Sequence, residues 1–185
     1  QWFPTCVDPG VFRPRDKQEA RRSLGVPDDE RLFVAVGRLS RWKGWTLLLE
    51  ALAHLRQRDP QVSLAFVGDG EDRNALVFCV ERMGLKEAVR LPGYQPREKV
   101  ALWLNAADAA VFASQGEGWS NAMLEALASG KPIVTTKVSG AADLVHPGVN
   151  GFIVEERDPE AFARAMEAAL QLRDAEAVSV ALAER

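Results

Sequence analysis

Leu32-Phe33-Val34-Ala35-Val36, closed by Gly37 and followed by Arg38-Leu39-Ser40-Arg41-Trp42-Lys43-Gly44, decides the fold. The five residues before Gly37 are apolar without alternation, which suits a strand covered on both faces. From about Gly44 to Arg58 the period changes. Leu47, Leu48, Ala51, Leu52 and Leu55 fall along one helical stripe. Strand, short loop and helix make one step of a βα rhythm, and the rhythm repeats along the chain.

Val62 to Val67 is the second strand, stopped by Gly68-Asp69-Gly70 and followed by a helix from about Asp72 to Met83, with Gly84 as its cap. Val89-Arg90-Leu91 precedes Pro92-Gly93 and a helix from about Pro96 to Asn105. Ala109 to Ala113 leads to a helix over Ser120 to Ser129, ended by Gly130. Pro132 to Thr136 and the short Gly151 to Val154 complete the strands, and Pro159 to Leu172 reads as the helix after them. Six such steps joined by right-handed crossovers predict an α/β domain, a doubly wound, parallel, six-stranded Rossmann-like sheet. Residues 31–172 form this expected core. Residues 1–30 read as a lead-in, turn-like over Thr5 to Pro14, and 173–185 as a C-terminal helix or tail.

Composition narrows the function. The 185 residues are 47% hydrophobic and 26% charged, the balance of one globular domain with a real core. Lys and Arg number 23 against 26 Asp and Glu, a net charge of −3, which argues against a nucleic-acid footprint and still allows a local phosphate site. Two cysteines, Cys6 and Cys79, and two histidines, His54 and His146, offer neither a disulfide framework nor a metal cluster, so no metal is expected. No apolar run approaches the roughly 18 residues a membrane span needs, and no signal peptide is expected at the N-terminus. These features predict a cytoplasmic chain with no direct membrane insertion. It begins at Gln1 and is expected to be a piece of a longer protein.

In doubly wound sheets ligands bind beyond the carboxyl ends of the strands, so the residues there carry the functional reading. After the first strand, Arg38 and Lys43 straddle a loop that ends at Gly44. A guanidinium fork and a compact ammonium at a helix start suit a diphosphate. The alternative is that Arg38, Arg41 and Lys43 are solvated loop charges. Gly68-Asp69-Gly70 fits neither a Walker loop nor a G-x-G-x-x-G fingerprint, and reads as a tight turn whose backbone approaches a ligand or a neighbouring loop, the structural reading being the favoured one. Gly93-Tyr94 places the single tyrosine of the chain where it would either stack on a base or simply pack. The fourth strand end is richest: Ser114-Gln115-Gly116-Glu117-Gly118-Trp119-Ser120-Asn121-Ala122-Met123-Leu124-Glu125. Ser120 or Asn121 is the candidate N-cap. Glu117 and Glu125, seven intervening residues apart, could accept bonds from vicinal hydroxyls of a sugar or ribose. They could equally be surface acids near a helix N-terminus.

In order and spacing these motifs resemble the retaining glycosyltransferases of family 4. The resemblance rests on Val36-Gly37-Arg38-Leu39 with Lys43-Gly44, Val67-Gly68-Asp69-Gly70, Glu117-Gly118 through Leu124-Glu125-Ala126, and Ala128-Ser129-Gly130-Lys131-Pro132-Ile133-Val134. It extends to Val7-Asp8 with Phe12-Arg13-Pro14 and to His146 through Phe152, and covers roughly residues 5 to 171. It implies one half of a GT-B fold, the C-terminal half that binds a nucleoside-diphosphate sugar. The N-terminal, acceptor-binding domain would be a missing partner, and would carry any membrane association. Matched to the family pattern, Arg38, Lys43 and Glu117 would be catalytic, the cations holding the donor diphosphate and Glu117 the sugar hydroxyls. Gly37, Gly93, Tyr94, Gly118, Trp119, Ser120, Asn121, Leu124 and Glu125 would line the donor site, with Glu125 on the ribose. No cofactor or metal is implied, and the chain by itself is expected to transfer little sugar.

Two departures stand out. Ser139-Gly140-Ala141-Ala142-Asp143 replaces the family's usual Gly-Gly pair and following Glu, and Cys6 stands where glycine is common. The rival functions are a sugar-nucleotide epimerase or phosphorylase of the same architecture, a nucleotide-binding module without chemistry, and a plain α/β domain. The lysine context a phosphorylase cofactor needs is not evident in the sequence.

Overall fold

The computed structural model describes residues 7–116, 120–172 and 175–183. In chain order the elements are α1 (Lys17–Leu24), β1 (Arg31–Val36), α2 (Trp45–Arg56), β2 (Val62–Val67), α3 (Arg73–Arg82), β3 (Val89–Gly93), α4 (Arg97–Ala106) and β4 (Ala109–Phe112). Then follow α5 (Asn121–Ala128), β5 (Ile133–Thr136), α6 (Ala141–Leu144), β6 (Gly151–Val154), α7 (Pro159–Ala169) and α8 (Ala175–Ala183). Short 3-10 turns span Arg41–Lys43 and Lys86–Ala88.

The strands form one parallel sheet in the order β3-β2-β1-β4-β5-β6. Phe33 stands beside Leu64 of β2 on one side and Ala109 of β4 on the other. The order reverses between β1 and β4, because the chain leaves β1 for one edge and returns to build the other. The crevice that opens at such a switch point is where this fold takes ligands.

Apolar runs without alternation have a direct cause. On one face of the sheet Phe33, Leu64, Phe66, Val111 and Val134 pack with Leu48 and Leu52 of α2 and Phe162 and Met166 of α7. On the other, Leu32, Val34, Ala65, Val67, Ala110 and Ile133 pack with Leu104 of α4 and Met123 and Leu127 of α5. Successive strand residues point to opposite faces, and both faces are covered. Trp103 is buried in the second cluster, as a core residue.

The lead-in carries a helix not singled out from the sequence. Residues 17–24 form α1, whose Asp16 side chain accepts a hydrogen bond from Glu19 N at 2.7 Å and whose end is set by Gly25 at φ 67°. Arg21, only 2% exposed, explains why this helix is part of the domain. Its Nε donates to Ala106 O at 3.0 Å and its Nη2 to Asp108 at 2.8 Å, while Asp108 also accepts from Leu32 N at 2.7 Å and from Lys17. One carboxylate thus joins α1, β1 and the entry to β4, and its charge is met by two cations.

Three smaller differences follow from local chemistry. β3 runs on to Gly93 through Pro92, which an edge strand tolerates because its outer N–H side has no partner to lose. The one-turn helix α6 occupies the segment of the Ser139–Asp143 departure. The C-terminal stretch resolves as helix α8 on α5, anchored where Ser179 Oγ donates to Lys131 O at 3.1 Å.

Candidate functional site

The loops at the ends of β1, β2 and β3 are stitched together by backbone bonds. Gly37 N donates to Val67 O at 3.1 Å, Gly68 N to Gly93 O at 3.0 Å and Leu39 N to Asp69 O at 2.9 Å, and Asp72 N returns to Leu39 O at 3.1 Å. Only glycine fits this junction: a β-carbon on Gly68 would lie 2.0 Å from Gly37 O, and one on Gly70 would lie 2.3 Å from Leu39 O. The Gly68-Asp69-Gly70 turn is therefore structural, and it fixes the backbone that carries Arg38.

Past Leu39 the chain makes the Arg41–Lys43 turn, with Lys43 N on Ser40 O at 2.9 Å and Gly44 N on Arg41 O at 3.0 Å. Gly44 adopts φ 71° and opens α2. A β-carbon there would stand 1.9 Å from Ala113 O, so α2 begins hard against the end of β4. Trp45, next in line, is buried and donates from its indole nitrogen to Asp72 at 3.0 Å. Trp42 points outward, 59% exposed, and its indole nitrogen donates to Gly116 O at 2.9 Å. Gln115 N donates back to Trp42 O at 2.8 Å. The cation loop and the loop after β4 are thus pinned to each other.

Between these loops lies an open cleft. Gly37, Arg38 and Lys43 line one wall and Phe112, Ser114 and Ser120 the other, over a floor that includes Trp45 and Phe66. Arg38 Nε donates to Glu71 at 2.8 Å in an exposed pair. Its terminal guanidinium nitrogens have no partner among the described residues. A backbone N–H and then the Arg38 side chain hold the Glu71 carboxyl below the usual range. Ser120 sits at the N-cap position of α5 with φ −92° and ψ 107°, but its hydroxyl makes no cap bond, and it lies at the cleft wall.

The expected site residues divide three ways. Gly37, Arg38, Lys43 and Ser120 come together around the cleft. Glu117, Gly118 and Trp119 lie outside the described residues. The others stand further out: Gly93 ends β3 with Tyr94 beside it, 81% exposed, Asn121 is exposed at the start of α5, and Leu124 is buried in the core. Glu125 is half-buried in the second turn of α5. Desolvation raises its carboxyl above the ordinary 4.5, and the charge of Arg97 partly opposes the rise. Among the described residues no three His, Cys, Asp or Glu side chains gather to hold a metal ion, and no helix is long and apolar enough to cross a membrane.

One residue at the site had not been singled out from the sequence. Arg157, just before α7, donates from Nη1 to Ala113 O at 2.7 Å and Ser114 O at 3.1 Å, on two residues that line the cleft. Thr136 Oγ1 of β5 also donates to Ser114 O, at 2.7 Å. Nothing in the Arg157-Asp158-Pro159 segment marked it beyond a helix start.

Comparison with known proteins shows the family and the fold. The family model described as glycosyl transferases group 1 matches residues 16–181. A D-inositol 3-phosphate glycosyltransferase of Frankia alni is 36% identical over 174 residues, 89% of this chain and 43% of the relative. A similarly named protein of Catenulispora acidiphila is 35% identical over 88% of this chain and 41% of its own length. The chain thus spans about two fifths of the curated relatives it matches. Among solved structures, Anabaena HepE in complex with UDP-glucose matches with TM-score 0.85 and 28% identity, over 97% of this chain and 51% of that one. The C-terminal domain of LpcC from Francisella tularensis shares the fold at TM-score 0.82 and 21% identity, over 96% of both chains.

Proposed function

Because this chain belongs to the glycosyl transferases group 1 family, we propose that it is the C-terminal, donor-binding half of a GT-B glycosyltransferase that holds a nucleoside-diphosphate sugar. One observation carries this reading: Arg38 and Lys43 line one wall of a cleft at the β1–β4 switch point, facing the start of α5. The diphosphate sits between them, where the cations and nearby backbone N–H groups offset its charge. When the glycosyl bond breaks, the leaving nucleoside diphosphate gains negative charge. Positive groups already fixed there lower the barrier without reorganising and without a metal.

Transfer proceeds with retention, as in family 4, with Glu117 on hydroxyls of the moving sugar and Glu125 on those of the ribose. The loop at Gly93-Tyr94 borders the base. Uridine is the base to test first, since HepE was crystallised with UDP-glucose. The acceptor site belongs to the N-terminal domain, so this chain alone transfers little sugar. The epimerase and non-catalytic readings draw no support from relatives named as glycosyltransferases.

Calorimetric titration of the chain with UDP, GDP and ADP tests the reading. Saturable binding that favours one diphosphate, UDP first, is the expected result. Absence of binding to all three at millimolar ligand, both in this chain and in the parent protein, overturns it.

A further inference from the structure

The cleft poses an electrostatic problem at its β4 side. Ala113 and Ser114 present consecutive carbonyl oxygens at a strand end, and both residues line the cleft meant for an anion. Carbonyl oxygens facing a diphosphate would repel it. In this structure both accept hydrogen bonds from side chains that do not line the cleft. Arg157 Nη1 takes Ala113 O at 2.7 Å and Ser114 O at 3.1 Å, and Thr136 Oγ1 takes Ser114 O at 2.7 Å. Arg157 is also close to the cation loop: a β-carbon on Gly44 would lie 2.9 Å from its Nη2.

Resting on the diphosphate reading, we propose that Arg157, with Thr136, is a positioning residue that turns the Ala113 and Ser114 carbonyls away from the cleft and so makes the β4 wall acceptable to a diphosphate. Two physical effects combine. The hydrogen bonds quench the partial negative charge of both oxygens. The guanidinium, a group that keeps its charge in proteins, adds positive potential beside this wall. Arg157 needs no contact with the ligand to do this. Its position also holds the end of β4 against Gly44, from which the Lys43 loop departs.

The readout is the ratio of UDP to uridine affinity, measured by calorimetry on wild type, Arg157→Gln and Thr136→Val, with thermal unfolding beside each. Arg157→Gln is expected to cut the ratio about tenfold and to leave uridine affinity unchanged. Thr136→Val, a nearly isosteric change, is expected to cut it about threefold. Arg157→Lys, which keeps the charge, is expected to restore part of the ratio. A brace of purely structural effect would lower both ligands together or neither. Should Arg157→Gln not fold, Thr136→Val and Arg157→Lys still decide the matter. Variants that fold and keep the wild-type ratio overturn the proposal. A wild type that binds UDP no better than uridine overturns the diphosphate reading itself.

Discussion

Trp42 and Gly116 are joined in a way that exposure alone would not suggest. The Trp42 ring is mostly in solvent, yet its indole nitrogen holds Gly116 O at 2.9 Å, and Gln115 N holds Trp42 O in return. The ring edge lies 3.3 Å from where a Gly116 β-carbon would be. These bonds fix the spacing between the Arg38–Lys43 wall and the loop that leads to α5. Trp42→Phe keeps an aromatic ring and removes the indole donor. It is expected to weaken UDP binding roughly three- to tenfold while costing less than about 1 kcal/mol in urea unfolding. A large stability loss with unchanged affinity would show that the bond serves the fold and not the site.

Glu125 distinguishes a ligand residue from a surface acid by opposite signs. Desolvation raises its carboxyl above 4.5, so the folded state binds its proton more readily than the unfolded chain. Stability from this group is therefore full at low pH and is lost as pH rises through the ordinary value to the raised one. Glu125→Gln is expected to stabilise the fold near neutral pH, with the gain shrinking in acid, and to weaken uridine binding by about threefold or more. Urea unfolding at two pH values and calorimetry with uridine check both. Loss of stability with intact uridine binding contradicts the role.

Much of this was legible in the residues because parallel sheets write themselves plainly. Leu32 to Val36 had to be covered on both faces, and the two packed clusters cover them. The glycines after the strands pointed to one edge of the sheet, and a cleft there gathers Gly37, Arg38, Lys43 and Ser120. What stayed hidden involved contacts across long separations. The helix α1 is one such case, because what ties it to the domain is Arg21 reaching Ala106 and Asp108. Arg157 is hidden for the same reason: its partners lie more than forty residues away and are backbone carbonyls, which leave no trace in side-chain pattern.

Lys131 supplies a pH signature far from the cleft. Its side chain is buried and donates to Asn105 O at 3.2 Å. Burial, assisted by the charge of Lys17 and opposed by Glu176 and Asp108, lowers its pKa from 10.5 to about 8. Between those values the unfolded chain holds a proton that the folded one has shed, so stability rises with pH across the window, by an amount of order 3 kcal/mol. Lys131→Met should abolish that rise. Guanidinium unfolding of both proteins near pH 7.5 and 9.5 measures it. Parallel pH dependence in the two contradicts the assignment.

The central claim is that Arg38 and Lys43 hold a diphosphate, and one titration meets it directly. UDP and uridine are titrated into wild type and into the Arg38→Ala, Lys43→Ala double variant, with folding confirmed by unfolding curves. Wild type should prefer UDP strongly. The double variant should lose about 2–4 kcal/mol of UDP affinity, roughly thirty- to several-hundredfold, while uridine binding is unchanged. A double variant that keeps the wild-type preference for UDP would place the diphosphate elsewhere and contradict the claim.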